Sequence, residues 1–179
     1  MSVARHWRWI AATLLVAVAV HAASVLYLPQ LIMWRTVTAI GRAGGVNRMV
    51  HGRRPTAAAR GVVRPSPDLL YSTCVYDLDE AGGGLWVRAH GMPHTYWSVS
   101  LFDMQTDNFY VVDDRQAKDG TLDLLIEAPD WDKPMPGRIA HAPGPRGLVL
   151  VRTLIDDEAH VADIDAARRH VTCEAYQRR

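Results

Sequence analysis

Apolar residues run almost unbroken from Ile10 to Leu28, interrupted only by Thr13, His21 and Ser24. As a helix this stretch spans roughly 28 Å, about one bilayer hydrocarbon core. Trp7 and Trp9 flank one end, and Tyr27 and Trp34 the other, where amphipathic rings suit headgroups. A retained anchor over residues 1–35 is therefore expected. The rival is a cleaved signal peptide, with Arg5 and Arg8 as its basic start and Val20-His21-Ala22 as its small-residue site. Apolar character continuing through Leu31 and Ile32 argues for retention.

Residues 36–61 break the pattern. Val37, Ile40, Val46, Met49 and Val50 allow a short helix, which Gly41, Gly44 and Gly45 weaken. His51–Arg60 carries no periodicity and is expected to be a linker.

From residue 62 the period changes to two. Pro65 and Pro67 impose an extended entry. Leu70, Cys74, Tyr76 and Leu78 then face one way, and Tyr71, Thr73, Val75 and Asp77 the other. The glycines ending 79–84 mark a turn, and Leu85–His90 runs back, predicting a hairpin. Trp97, Val99 and Leu101 alternate with Tyr96, Ser98 and Ser100, predicting a strand with one buried face. Further strands are expected at 108–112, 122–126 and 147–155. The last is apolar on both faces and so belongs at a sheet centre. Residues 128–145, rich in proline, form an irregular loop. Asp156-Asp157-Glu158 open a helix whose face is Val161, Ile164, Ala167, Val171 and Ala175. The prediction is a mainly β chain: an immunoglobulin-like β-sandwich over 62–179, with a C-terminal helix packed on it.

Composition narrows the function. Lys+Arg number 20 against 19 Asp+Glu, so no concentrated basic face points to nucleic acid. Cys74 and Cys173 lack metal spacing and either pair as a disulfide or remain two buried thiols. His90 and His94 are separated by Gly91-Met92-Pro93, which no helix accommodates, so neither metal nor cofactor is expected. No Gly-x-Ser-x-Gly elbow is present, and no catalytic residue is assigned. The strongest polar constellation is Arg64, Asp68, Tyr71, Tyr96 and Asn108. As a ligand site, Arg64 would hold a carboxylate or sulfate in its fork. As a structural corner, Asp68 would bond the backbone while the tyrosine hydroxyls tie loops. The structural corner is favoured.

The order Arg-Pro-Ser-Pro-Asp-Leu-Leu-Tyr-Ser (64–72), Tyr-Asp-Leu (76–78), Met-Pro (92–93), Tyr-Trp-Ser-Val-Ser-Leu-Phe-Asp (96–103), Asn108-Phe109 and Leu150-Val151-Arg152-Thr153 resembles the bacterial domain of unknown function 1254. The anchor resembles that of its short, membrane-attached members. The resemblance implies an immunoglobulin-type sandwich. It also implies a partner: a separate, membrane-anchored protein carrying the companion domain of unknown function 1214, which this sequence lacks. No reaction comes with the family. The chain is thus expected in a bacterial inner membrane, crossing once through residues 10–28, with its N-terminus cytoplasmic and its domain periplasmic. The leading expectation is a non-catalytic binding module. The alternative is a subunit of a hydrolase whose site around Arg64, Asp68 and Tyr71 is completed by the partner.

Overall fold

The structure is a computed structural model and describes residues 3–56, 58–59, 65–117, 119–131 and 137–176. It opens on one helix, α1 (Val3–Gly44), which takes Pro29 within it. Its apolar stretch is long and apolar enough to cross a membrane, with mean hydropathy 2.1, and none of it is buried. That exposure separates it from the core helix of a soluble fold. At 1.5 Å per residue α1 is roughly 63 Å long, about twice a hydrocarbon core.

The sequence reading ended the anchor at residue 35 and gave 36–61 as a linker with a possible short helix of its own. Instead α1 continues unbroken to Gly44. Met33, Val37 and Ile40 recur at helical spacing and pack on Val75, Leu148 and Phe102. Gly44 and Gly45 terminate it. Gly45 takes φ +91°, and its N–H donates to Gly41 O at 2.8 Å, closing a left-handed C-cap.

Nine strands follow among the described residues. They are β1 (Val50–His51), β2 (Leu69–Asp77), β3 (Gly84–Ala89), β4 (Trp97–Asp103), β5 (Asn108–Asp113), β6 (Leu122–Glu127), β7 (Arg138–His141), β8 (Arg146–Leu154) and β9 (Thr172–Ala175). One sheet has the order β1-β2-β8-β4-β5, the other β7-β6-β3-β9. β8 sits at the centre of the first, as its two apolar faces required. Cys74, Tyr76, Val99, Leu101, Val149 and Val151 of one sheet meet Leu85, Val87, Leu124, Ile126 and Cys173 of the other in one core. A disulfide joins Cys74 to Cys173 across it, with Cα atoms 6.5 Å apart.

Four expectations are corrected. β2 and β3 are not a hairpin, because β2 pairs with β1 and β8 while β3 pairs with β6 and β9. The segment between them crosses from sheet to sheet. Asp77 Oδ1 accepts the N–H groups of Asp79 and Glu80, and Gly82 and Gly83 take φ of +72° and +95°. Two successive positive φ values suit glycine and strain other residues. The second correction concerns β4. Ser98 and Ser100 are as buried as Trp97, Val99 and Leu101. Each small side chain lies between larger neighbours, Ser98 between Arg152 and Asp113, Ser100 between Leu150 and Val111.

The third lies in the proline-rich loop, where β7 pairs parallel with β6. The fourth is the C-terminal helix. α2 is short, Val161–Arg168, entered by a 3-10 turn at Glu158–His160 that Asp157 caps. Residues 169–171 unwind with N–H bonds three residues back, and Thr172 enters the β3 ladder. Val171 and Ala175 fit a helical period, but pairing with β3 and the bond to Cys74 hold them outside it. Ile164 of α2 packs on Leu70 and Ile155.

Candidate functional site

Of the five residues singled out in the sequence, the four that the structure describes do not all converge. Arg64 lies outside the described residues. Asp68 is exposed; its N–H donates to Ser66 Oγ at 3.3 Å, and its carbonyl accepts Ile155 N–H at 2.8 Å. Tyr71 is half-buried, and its hydroxyl accepts Ser66 N–H at 3.0 Å. Tyr96 precedes β4, is exposed, and accepts Leu154 N–H through its carbonyl at 2.8 Å. These three share one end of the larger sheet. Asn108 starts β5 at the opposite end, where its amide donates to Leu101 O at 3.3 Å and Tyr110 O at 3.0 Å once turned toward them. Tyr71 lies in register with Arg152 and so with Ser98, whereas Asn108 is in register with Phe102. Four strand residues separate them, roughly 13 Å.

The most connected polar side chain is instead Arg168, at the end of α2 and fully buried. Its guanidinium donates to Gly52 O at 2.6 Å, Tyr71 O at 2.9 Å, Ser72 Oγ at 2.9 Å and Asp165 Oδ1 at 2.7 Å. One planar fork thereby ties β2, the residue after β1, and α2. Asp165 is shared with Arg169 at 2.9 Å. Burial alone would raise the Asp165 carboxyl, but hydrogen bonds from Arg169 and Arg168 outweigh it and hold it low.

His51 completes the cluster, its Nδ1 lying 2.9 Å from Ser72 Oγ. Arg168 donates to that oxygen, which leaves the hydroxyl proton free for His51 Nδ1. A neutral His51 accepting that proton carries its own on Nε2, and the contact equally suits the other tautomer, with Nδ1–H donating to the second lone pair of Oγ. Burial lowers its pKa, and Arg168 and Arg169 lower it further against an opposing pull from Asp165. A histidine beside a serine suggests a nucleophile, but Ser72 is only 1% exposed and offers no surface to a substrate. The group is a buried brace.

The His51 shift has a measurable consequence. The unfolded chain takes a proton near pH 6.5, and the folded chain resists it. Stability is therefore full above that pH and falls as pH drops through it toward the lower folded value. Melting curves of the wild type and His51→Asn should diverge in slope below about pH 6.5, with the wild type losing more. Parallel slopes would remove His51 from the acid response.

In front of this brace lies a groove of about 810 Å³. One wall is the segment from Asn47 to His51, and the other runs from Val171 to Tyr176. Trp86, Arg88 and Arg169 also line it. Arg88 lies over the Trp86 ring at 5.1 Å and meets Glu174 at 3.3 Å and Asp123 at 3.5 Å. Sequence reading missed this groove because its walls come from opposite ends of the domain. Acids elsewhere serve turns: Asp103 Oδ1 accepts the N–H groups of Gln105 and Asp107. Among the described residues no group of three or more His, Cys, Asp or Glu is placed to hold a metal.

Solved structures share the fold. A crystal structure of a Vibrio parahaemolyticus protein matches 86% of this chain and 37% of its own, at 12% identity and a TM-score of 0.61. An uncharacterized protein of Burkholderia cenocepacia matches over 72% and 34%, at 16% identity and a TM-score of 0.50. The aligned region is thus little more than a third of those proteins, which carry further chain beside it. No curated protein matches this sequence. A family model covers residues 46–175, from the end of α1 through β9, and by that match the chain belongs to the family described as protein of unknown function DUF1254.

Proposed function

We propose that the chain is a membrane-tethered, non-catalytic module of the bacterial envelope that holds a separate protein carrying the companion domain of unknown function 1214. On this reading the N-terminus is cytoplasmic, α1 crosses the inner membrane once, and the two sheets stand in the periplasm. The observation that carries the proposal is the seating of α1. Its apolar residues stay exposed through Leu31, Ile32 and Trp34, while Met33, on another face of the same turn, is already buried against Val75 and Leu148. Anchor and domain therefore form one continuous piece at the membrane surface, suited to presenting a fixed face to a neighbour. The disulfide between Cys74 and Cys173 supports an oxidising compartment. The length of the solved relatives supports a companion, since the shared fold occupies only part of them. Asp68 is exposed and the Tyr71 hydroxyl is engaged by Ser66, which favours the non-catalytic reading over a hydrolase site there.

We also read the two sheets as an immunoglobulin-like variant. Support comes from the antiparallel pairing within the five-stranded sheet and from an inter-sheet disulfide in the same core as Trp97.

The test uses the full-length chain in its own membrane. Tagged protein is crosslinked in cells, extracted in mild detergent, captured and analysed by mass spectrometry. A stoichiometric protein bearing the companion domain is expected. Capture of the chain alone would overturn the partner reading. Protease added to intact spheroplasts should digest the sheets, and their protection would reverse the orientation.

A further inference from the structure

The groove between β1 and β9 has an unusual wall. β9 is an edge strand, paired among the described residues only with β3. Tyr176 N–H donates to Gly84 O at 2.8 Å. In an antiparallel ladder successive residues turn their N–H and C=O to opposite sides. The backbone groups of Ala175 and Cys173 therefore point away from β3, toward the groove. Neither N–H has a backbone acceptor among the described residues. The facing wall is also an edge: among the described residues β1 pairs only with β2. Gly52 N–H donates to Tyr71 O at 3.0 Å, so alternation turns the backbone of His51 outward. Two sheet edges thus border one trough, with ladder groups unused on both.

Charge selects the occupant. Arg48, Arg88 and Arg169 line the trough against a single acid, Glu174. Arg88 and Arg169 are engaged by neighbouring carboxylates. Arg48 is exposed and has no ion-pair partner among the described residues.

We propose that an extended, acidic segment of a partner protein adds to β9 as a further strand in this groove. Main-chain bonds to Ala175 and Cys173 supply affinity, and Arg48 selects an acidic side chain. The proposal rests on the partner-holding reading above and names the surface that does the holding. β9 presents four residues, a pairing length of roughly 13 Å, so a six-residue probe is long enough.

The probe is a fluorescein-labelled Val-Glu-Val-Glu-Val-Glu peptide, measured by anisotropy against the full chain in zwitterionic nanodiscs. Controls are the lysine counterpart and an acidic peptide N-methylated at alternate residues. Saturable binding of the acidic peptide is expected, weaker by at least about tenfold for either control. Ala175→Pro removes only an outward N–H, a change edge strands accept. It should lose binding by a similar factor while the melting temperature holds. Arg48→Glu, an exposed change, should reverse the preference toward the lysine peptide. Equal binding of acidic and lysine peptides would overturn the proposal. So would wild-type binding by a folded Ala175→Pro, or by Arg48→Glu should the proline variant not fold. These failures leave the crosslinking result standing and so are distinguishable from failure of the partner reading itself.

Discussion

Arg168→Met is expected to destabilise the domain by about 3–5 kcal/mol, the cost of removing one member of a buried ionic network. The side chain is fully buried, and its donors reach two other segments, β2 and the residue after β1, besides Asp165 of its own helix. Methionine fills similar length but donates nothing. Gly52 O then loses its guanidinium donor, Ser72 Oγ keeps only His51, and Asp165 retains only Arg169. Tyr71 O is less affected, because it still accepts Gly52 N–H. The melting temperature should fall by on the order of 10 °C, followed by tryptophan fluorescence in detergent. Arg168→Lys should fall between, since an ammonium keeps the charge but not the planar fork. A loss below about 1 kcal/mol for Arg168→Met, the net value of a single ordinary hydrogen bond, would show that the brace does not hold β1 to the sheet. The consequence reaches the groove, because Gly52 follows directly on His51 of its wall. A loosened β1 should also weaken capture of the acidic peptide.

The sequence made some of this visible for local reasons. The apolar run of residues 10–28 needs no partner to be recognised. The alternation through Leu70, Cys74 and Tyr76 marks a strand because one face meets the other sheet. The apolar faces of 147–155 mark a central strand, and α1 covers part of the outer one through Leu148. What stayed hidden depended on distant chain. Thr172–Ala175 belongs to a sheet because β3, more than eighty residues earlier, supplies its ladder. Nothing local distinguishes Arg168 from an arginine placed to suit a helix dipole. Its acceptors Gly52, Tyr71 and Ser72 lie 116, 97 and 96 residues away. The same blindness grouped Asn108 with Tyr71 and Tyr96: all three were recognised as strand-associated polar residues, but only register shows which end of a sheet each occupies.

Loss of the Cys74–Cys173 bond is expected to cost about 2–5 kcal/mol, the range for native disulfides. The bond spans a sequence separation of 99 residues, and the entropy of an open loop grows with its length. It acts on a weak element. β9 has four residues, one neighbouring strand and two exposed positions, Glu174 and Ala175. The bond to Cys74 fixes it to β2 of the opposite sheet. Reduction, or the Cys74→Ala and Cys173→Ala pair, should therefore lower the melting temperature and speed amide exchange in 172–175 before it does so in β8. Uniform acceleration across both sheets would mean the bond acts on the whole domain rather than on β9. Protein made in the cytoplasm should lack the bond and show both effects, since that compartment keeps thiols reduced. Two free thiols, counted in denaturant on protein taken from its membrane without reductant, would rule the bond out. They would also remove the main support for a periplasmic domain, because the same two residues carry both arguments.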